Sequence, residues 1–268
     1  MGFFSKLFEK KECAFCGEEI GMLGNRKLED GNMCKTCAKK LSPWFDDRRH
    51  STVEQIGQQL AYREANRAKV AAFRTTRSFG ESKKLLLDED AGAFMITSSN
   101  NAAQMAEENP DVIALTDVTG CTLDIDESHR ELMQTDKEGK RVPFVPARYE
   151  YSYNFNIRIT VNNPYFDDMN FRINSTSLNI ITQKPQLANK LGMIGKVLSS
   201  IEPETSVEYR HYKQIGEELC DTLLQLRQGA RDQKAAAAQP AKQVICPYCN
   251  ATITPDASGR CEFCGGSL

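Results

Sequence analysis

Residues 149–161 read YEYSYNFNIRITV, and this stretch decides the fold. Tyr, Phe, Ile and Val fill every odd position, whereas Glu, Ser, Asn, Arg and Thr fill the even ones. Because successive side chains of a strand point to opposite faces, this alternation predicts a long β-strand with one buried face. After a turn at 162–168, Met169, Phe171 and Ile173 resume the pattern on an expected antiparallel partner.

Further strands are expected before this one in the sequence, and residues 72–180 as a whole are predicted to form sheet. The runs 84–87 and 93–97 flank DEDAG at 88–92, which predicts a hairpin with a glycine in its turn. Cys121, Leu123 and Ile125 alternate with polar residues on a strand with one acidic, exposed face. The polar segment 128–147 is interpreted as a long, mobile hairpin loop.

Helices are expected before and after the sheet region in the sequence, and the last of them is expected to cover the sheet. Ser51 and Glu54 form a candidate capping box for a helix that ends near residue 71. Its expected buried side carries Val53, Ile56, Leu60, Ala61, Ala65 and Ala68, with Arg63, Arg67 and Lys69 in solvent. Two later stripes predict helices that complete the fold: Leu187, Leu191, Ile194, Leu198 and Ile201, then Ile215, Leu219, Leu223 and Leu226 within about 205–230.

Eight of the ten cysteines form paired knuckles at the two ends of the chain. Two residues separate the cysteines of each knuckle, which is the spacing of small zinc ribbons. The sequence therefore predicts two structural Zn²⁺ ions, each held by four thiolates. The predicted ligands are Cys13, Cys16, Cys34 and Cys37 for the first ion, and Cys246, Cys249, Cys261 and Cys264 for the second.

Four thiolates leave no open position on the metal, which argues against catalytic zinc. Iron in a rubredoxin-like site is the chemical alternative, because the C-terminal knuckles CPYC and CEFCG resemble those of rubredoxin. Cys121 and Cys220 are expected to be buried small hydrophobes, and His50 a surface residue. We find no P-loop, glycine-rich dinucleotide turn or nucleophile elbow, so the chain is predicted not to be an enzyme.

Charge and hydropathy limit the classes of partner that we expect. The formal net charge is −2, and with zinc bound both cysteine modules come close to neutral, which disfavours nucleic acid. No secretory signal or membrane-spanning stretch is visible, so we expect a cytoplasmic protein that contacts another, unidentified protein. The leader Phe3, Phe4, Leu7 and Phe8 is expected to pack on the first ribbon, with membrane-surface contact as the alternative.

Three segments resemble known families. CAFCG at 13–17, KLEDG at 27–31 and CKTCAKKLS at 34–42 look like a bacterial zinc-finger family of unknown function found mainly in Firmicutes. The end of the chain is similar to zinc-ribbon domains appended to many bacterial proteins. The middle, with FRTT at 73–76 and DVTG at 117–120, resembles bacterial pleckstrin-homology-like domains. The resemblance implies an uncharacterised accessory protein and transfers the eight cysteine ligands but no active site.

Together these features predict an α+β protein in which an antiparallel, β-rich, pleckstrin-homology-like domain with a C-terminal helix lies between two zinc ribbons. The expected organisation is a ribbon at 1–45, a connector helix at 46–72, the β-rich domain at 73–232, a flexible linker at 233–243 and a ribbon at 244–268. The predicted function is a non-enzymatic zinc-binding adaptor or scaffold for proteins. Nucleic-acid binding through the ribbons and membrane-surface association are the alternatives.

Overall fold

A computed structural model describes residues 11–21, 23–183, 202–238, 244–253 and 259–267. The chain divides into two compact units, residues 1–227 and residues 228–268. The predicted leader helix at 3–8 and the apolar stripe at 187–201 lie outside the described residues.

Four α-helices, sixteen strands and three short 3-10 helices (Asp47–His50, Leu115–Asp117 and Pro203–Thr205) make up the regular structure of the described residues. The helices are α1 (Lys35–Ala38), α2 (Val53–Ala72), α3 (Ala102–Glu108) and α4 (Val207–Ala238). The strands of the first ribbon are β1 (Lys11–Glu12), β2 (Glu19–Ile20), β3 (Arg26–Lys27) and β4 (Asn32–Met33). They are followed by β5 (Arg77–Phe79), β6 (Lys84–Asp88), β7 (Ala93–Thr97), β8 (Ile113–Ala114), β9 (Val118–Glu131), β10 (Met133–Thr135), β11 (Arg141–Pro143), β12 (Arg148–Val161), β13 (Asp168–Arg172), β14 (Leu178–Gln183), β15 (Val244–Ile245) and β16 (Thr252–Ile253).

The strand predicted from the odd-position apolar residues is β12, and it forms the centre of the larger sheet. β9 pairs along one of its edges, while β13 and β14 share the other, and every pairing is antiparallel. Phe155, Ile157 and Ile159 are fully buried on its core face. Burial of each such side chain contributes about 1.5–3 kcal/mol, so this face supplies much of the core. The predicted strand and its antiparallel partner are both confirmed.

A second antiparallel sheet has the order β5-β6-β7-β8. Its central hairpin is the one predicted from the sequence, and Gly92 takes a φ of +62° in the turn. Such a left-handed conformation strains residues with a side chain, which explains the glycine. Leu85, Leu87 and Phe94 are fully buried on these strands, so the sheet faces core rather than solvent.

The long loop predicted at 128–147 is wrong. β9 continues to Glu131 and stays paired with β12, and β10 pairs with β11 beyond it. Gly139, with a φ of +82°, lies between these two short strands. None of residues 128–147 is buried, in agreement with the absence of apolar alternation in this segment. Backbone hydrogen bonds, rather than burial, keep it extended, because the end of β9 pairs with β12 and β10 pairs with β11.

Helix α4 packs on the larger sheet through the stripe predicted for it. Leu219 and Leu223 are buried, and the ring of Tyr209 lies 4.9 Å from that of Tyr153 in an edge-on contact. The helix runs to Ala238, well past the predicted end near residue 230 and into the stretch expected to be a tether. Alanine is the strongest helix former, which accounts for the extension through residues 235–238.

These elements give a mixed α+β fold with antiparallel sheets and a cysteine cluster near each end. No helix in the described ranges is both long and apolar enough to cross a membrane.

Candidate metal centres

The N-terminal cysteines are brought together by two short hairpins and a helix start. Cys13 and Cys16 lie between β1 and β2, where Gly17, with a φ of +73°, closes the knuckle and donates its N–H to the carbonyl of Cys13. Cys34 follows β4 and is the N-cap of α1, and Cys37 lies within that helix. The four predicted ligands of the first site therefore meet at one point.

The spacing of the four sulfurs fits one tetrahedral metal ion. All four Sγ atoms lie within 4.8 Å of one another, and those of Cys16 and Cys34 are 3.7 Å apart. Zn–S bonds of about 2.3 Å place tetrahedral sulfurs about 3.8 Å apart. A disulfide would need about 2.05 Å. The residues present therefore fit a metal tetrathiolate.

Electrostatics within this cluster also favours a cation. Burial opposes ionisation of Cys13, but hydrogen bonds from the backbone N–H groups of Cys34, Phe15 and Cys16 outweigh it and lower the pKa to about 6. Burial and the three neighbouring cysteines raise the pKa of Cys37 well above its ordinary value. A divalent ion removes this conflict, because it stabilises all four thiolates together.

The apolar core beneath this site includes the first turns of α2. Ile56 is buried there with Leu28 and Met33, and Val53 and Leu60 pack at its margin. Phe45, just after the ribbon, also joins this core, and the Lys83 ammonium lies over the ring of Trp44, 4.6 Å from its centre. The ribbon thus folds around a helix that the sequence indicated as a separate connector.

The start of α2 also differs from the predicted capping box. Thr52 and Gln55 form the box instead of Ser51 and Glu54, because Ser51 is already bonded to the carbonyl of Asp47. Asp30, in the turn between β3 and β4, accepts a further bond from the N–H of Val53 at 2.7 Å. This contact joins the ribbon to the helix end.

Gly31 in the same turn does not have a positive φ. A Cβ there would lie 2.6 Å from Cγ2 of Val53. The glycine therefore provides room for α2 rather than a left-handed backbone.

The buried face predicted for α2 is wrong beyond its first turns. Ala61, Ala65 and Ala68 are exposed, whereas the buried positions are polar and consist of Gln59, Arg63 and Asn66. Arg67 and Lys69 are exposed as predicted. Helical periodicity alone predicted that the alanines face the core, because nothing in the sequence indicated that Arg63 has a buried partner.

That partner is Asp111, which is fully buried just before β8. Arg63 donates to Oδ1 of Asp111 at 2.7 Å and to the carbonyl of Lys40 at 3.2 Å. Ser42, at the exit of the ribbon, donates to Oδ2 at 2.8 Å. Burial raises the pKa of Asp111, and the Arg63 guanidinium opposes that rise. One buried network therefore connects the ribbon, α2 and the β-rich part.

The C-terminal cysteines repeat the same geometry in the second unit. Sγ atoms of Cys246 and Cys264 are 3.6 Å apart, as are those of Cys249 and Cys261. The backbone bends at Gly265, which has a φ of +71° and donates its N–H to the carbonyl of Cys261. A gap of only eleven residues between the knuckles is thus compatible with four sulfurs around one ion.

This ribbon has a very small core and an apolar surface. Among the residues of this ribbon that the structure describes, its buried cluster consists of Cys246, Ile253 and Cys261. Three large apolar side chains are about two-thirds exposed or more, with exposed fractions of 67% for Ile245, 71% for Tyr248 and 69% for Phe263. Tyr248 and Phe263 lie within the knuckles, and Ile245 directly precedes the first of them, so the cysteine spacing gave no indication of an exposed apolar group.

The remaining cysteines and histidines take no part in the two tetrads. Cys121 and Cys220 are both buried as predicted, and they contact each other. His50 lies at the surface as predicted and bonds to Asp47 at 2.6 Å. His129 stacks on Tyr151 at the surface of the sheet. Within the described ranges, the two cysteine tetrads are the clusters of three or more metal-type ligands.

The first ribbon has a cationic face that no pattern in the sequence predicted. Two adjoining clefts, the larger about 730 Å³, share Arg26 and Arg48 in their walls. Their six cationic residues stand against two carboxylates, Glu29 and Asp46. The six are Arg26, Lys27, Lys35, Lys39, Arg48 and Arg49.

None of these six forms an ion pair with another described residue. Burial and the neighbouring Arg26 and Arg49 lower the pKa of Arg48, which shows that like charges have been brought together. The net charge of the sequence does not indicate this face, because the fold determines which charged side chains become neighbours. A zinc tetrathiolate of about −2 nearby still leaves an excess of cations.

Comparison with known families gives a match for the N-terminal part of the chain. Residues 11–59 match the model of a domain of unknown function, DUF4428. The match covers the first tetrad and ends within α2, in agreement with the core that the ribbon and this helix share. Neither the curated proteins nor the solved structures contain a match to the chain.

Proposed function

We propose that this protein is a non-enzymatic, cytoplasmic adaptor in which two structural zinc ions shape protein-binding modules. The observation that carries the proposal is the closed geometry of both tetrads, in which four sulfurs already surround the space for one ion. Such a site leaves no coordination position for a substrate. When bound, zinc supplies the folding energy of each module, and the cysteines hold its position.

The partner surface that we propose is the exposed apolar group of the C-terminal ribbon. Ile245, Tyr248 and Phe263 lie on or beside knuckles that the metal would hold rigid. Aromatic side chains are enriched at the centres of protein interfaces, where they fill apolar pockets of the partner. The partner is therefore expected to be a protein with a complementary apolar pocket.

The β-rich part is proposed to be the pleckstrin-homology-like scaffold of this adaptor. Its antiparallel sheets and the packing of α4 on the larger one support this assignment. On this interpretation the scaffold carries the N-terminal ribbon through the Arg63 network.

The adaptor role is tested by affinity purification with the full chain. We expect a protein that the wild type retains to be lost from the double variant Tyr248→Ser and Phe263→Ser, with zinc content unchanged. Glu262→Ser, an exposed change on the same knuckle, is the matched control and should retain it. Identical retention by the double variant, or loss of the partner after nuclease treatment, would overturn the proposal.

Metal content tests the two sites directly. Protein purified without added metal is expected to contain two zinc ions per chain and to be colourless. Iron would instead give strong visible absorption from sulfur-to-iron charge transfer. One zinc ion or none, with reactive thiols at the remaining knuckles, would contradict the proposed architecture.

Nucleic-acid binding is a second candidate, favoured by the cationic face of the first ribbon. Phosphate contacts by Arg and Lys release counterions, so affinity falls steeply with salt. Filter binding at low salt should then show salt-dependent affinity that Arg48→Ala and Arg49→Ala weaken together. Arg67→Ala, an exposed arginine outside the two clefts, should have little effect. Absence of binding at low salt would remove this candidate.

A further inference from the structure

Two cysteines outside the tetrads meet in the core of the first unit. Cys121 lies on β9 and Cys220 on α4, 99 positions apart, and their Sγ atoms are separated by 2.8 Å. Nonbonded heavy atoms prefer separations of about 3.5–4.0 Å, and a disulfide bond measures about 2.05 Å. The pair therefore lies between contact and bonding distance, and a small shift would join the two sulfurs.

Contacts on both sides of the cysteine pair hold α4 against β9. One turn before Cys220, α4 lies so close to β9 that a Cβ on Gly216 would be 2.7 Å from Cδ1 of Leu123. Two turns after it, Arg227 donates to the carbonyl of Thr119 at 3.1 Å. The helix is thus held over the strand on either side of the cysteine pair.

The two thiols are not equivalent. The S–H of Cys121 donates to the sulfur of Cys220, and this hydrogen bond, together with burial, raises the pKa of Cys121. The same bond lowers the pKa of Cys220, against burial and the carboxylates of Asp221 and Asp124. Cys220 is therefore the more easily ionised sulfur, while the exposed fractions of the two residues are similar, 9% for Cys121 and 8% for Cys220. A thiolate with some access to solvent is the reactive form of cysteine.

We propose that Cys121 and Cys220 form an oxidation-sensitive pair, which hydrogen peroxide converts into a disulfide that links β9 to α4. The Cys220 thiolate attacks a peroxide oxygen, the O–O bond breaks, and the released hydroxide takes up a proton to leave as water. The sulfur of Cys121 then attacks the sulfenic sulfur, the S–O bond breaks, and a second water carries away the Cys121 proton. Two thiols lose two electrons and two protons, and hydrogen peroxide becomes two waters.

This role is independent of the adaptor function. The eight metal ligands belong to the tetrads, whereas this pair is not part of any group of three or more metal-type ligands among the described residues. The cross-link would close a loop of about a hundred residues, which restricts the unfolded chain strongly. Oxidation would therefore lock α4 onto the sheet, and a thiol reductant would release it.

The test uses the full chain loaded with zinc. After treatment with one equivalent of hydrogen peroxide and alkylation with N-ethylmaleimide, non-reducing digestion and mass spectrometry should show a peptide that joins Cys121 to Cys220. We expect unchanged zinc content, a rise of roughly 5–15 °C in Tm, and full reversal by dithiothreitol.

Cys220→Ala should abolish both the linked peptide and the rise in Tm. Cys121→Ser should abolish the link but leave Cys220 open to oxidation. If neither variant folds, the wild-type peptide map decides. The proposal would be overturned if the oxidised wild type, once unfolded, still had both Cys121 and Cys220 open to alkylation. Loss of zinc before any link between them forms would also overturn it.

Discussion

At the scale of single residues, Arg63 shows how far burial can depart from residue type. Its side chain is 5% exposed and its carboxylate partner is fully buried. Taking two charges out of water costs several kcal/mol each, so such a pair persists only when its geometry and extra hydrogen bonds compensate. Here Ser42 and the Lys40 carbonyl supply those bonds. We infer that the pair fixes where the ribbon docks.

Removal of Arg63 is therefore expected to be costly. Arg63→Ala should lower the free energy of unfolding by about 3–5 kcal/mol, because it leaves the Asp111 carboxylate buried without its partner. Urea denaturation followed by circular dichroism measures this change. Arg67→Ala, one turn further along α2 and paired with Glu64 at the surface, should cost no more than about 1 kcal/mol. Equal losses for both variants would show that the buried network is unimportant.

At the scale of elements, the contact between α4 and β9 depends on a glycine within the helix. Gly216 costs the helix about 1 kcal/mol in propensity relative to alanine. Its position is explained by the 2.7 Å approach that a Cβ would make to Leu123. Gly229, further along the same helix, has nothing within 4 Å of the equivalent point. The two glycines therefore make a matched pair.

We expect opposite outcomes for alanine at these two positions. Gly216→Ala should destabilise the protein by about 1 kcal/mol, since overpacking of about 1–3 kcal/mol exceeds the gain in helix propensity. Gly229→Ala should increase helicity at 222 nm and should not lower Tm. Thermal unfolding followed by circular dichroism measures both. A stabilising Gly216→Ala would show that α4 can move away from β9 without cost.

At the scale of the whole molecule, the two metal centres support different amounts of structure. The first shares its core with α2, and α2 shares the Asp111 network with the β-rich part. The second lies in a separate unit, whose described residues form a small buried cluster of Cys246, Ile253 and Cys261. Loss of the first metal is therefore expected to weaken the larger unit, and loss of the second is expected to act locally.

Matched ligand substitutions test this asymmetry. Cys16 and Cys249 are both exposed second cysteines of a first knuckle, and serine at either position should reduce the zinc content from two ions to one. Cys16→Ser should lower the Tm of the main transition by about 10 °C or more, because structural zinc contributes folding energy directly. Cys249→Ser should leave that transition within about 2 °C. Equal shifts would contradict the division of roles.

The sequence determined the features that depend on spacing and period. Two knuckles at each end predicted two four-cysteine clusters, and strict alternation predicted β12 and its partner. Both signals are local, because the spacing of two cysteines within a knuckle and the two-residue period of a strand can each be seen within a short stretch of the chain. They were sufficient for the α+β class and for the candidate ligands.

Only the tertiary structure decided which distant side chains meet. Arg63 finds Asp111, Cys121 finds Cys220, and Arg26 joins Arg48 and Arg49 on one face. The paired strand at 128–131 likewise depends on β12, since its own residues carry no apolar pattern. Burial of a charge or pairing of a polar strand is stabilised by partners far along the chain, and periodicity within one segment carries no information about them.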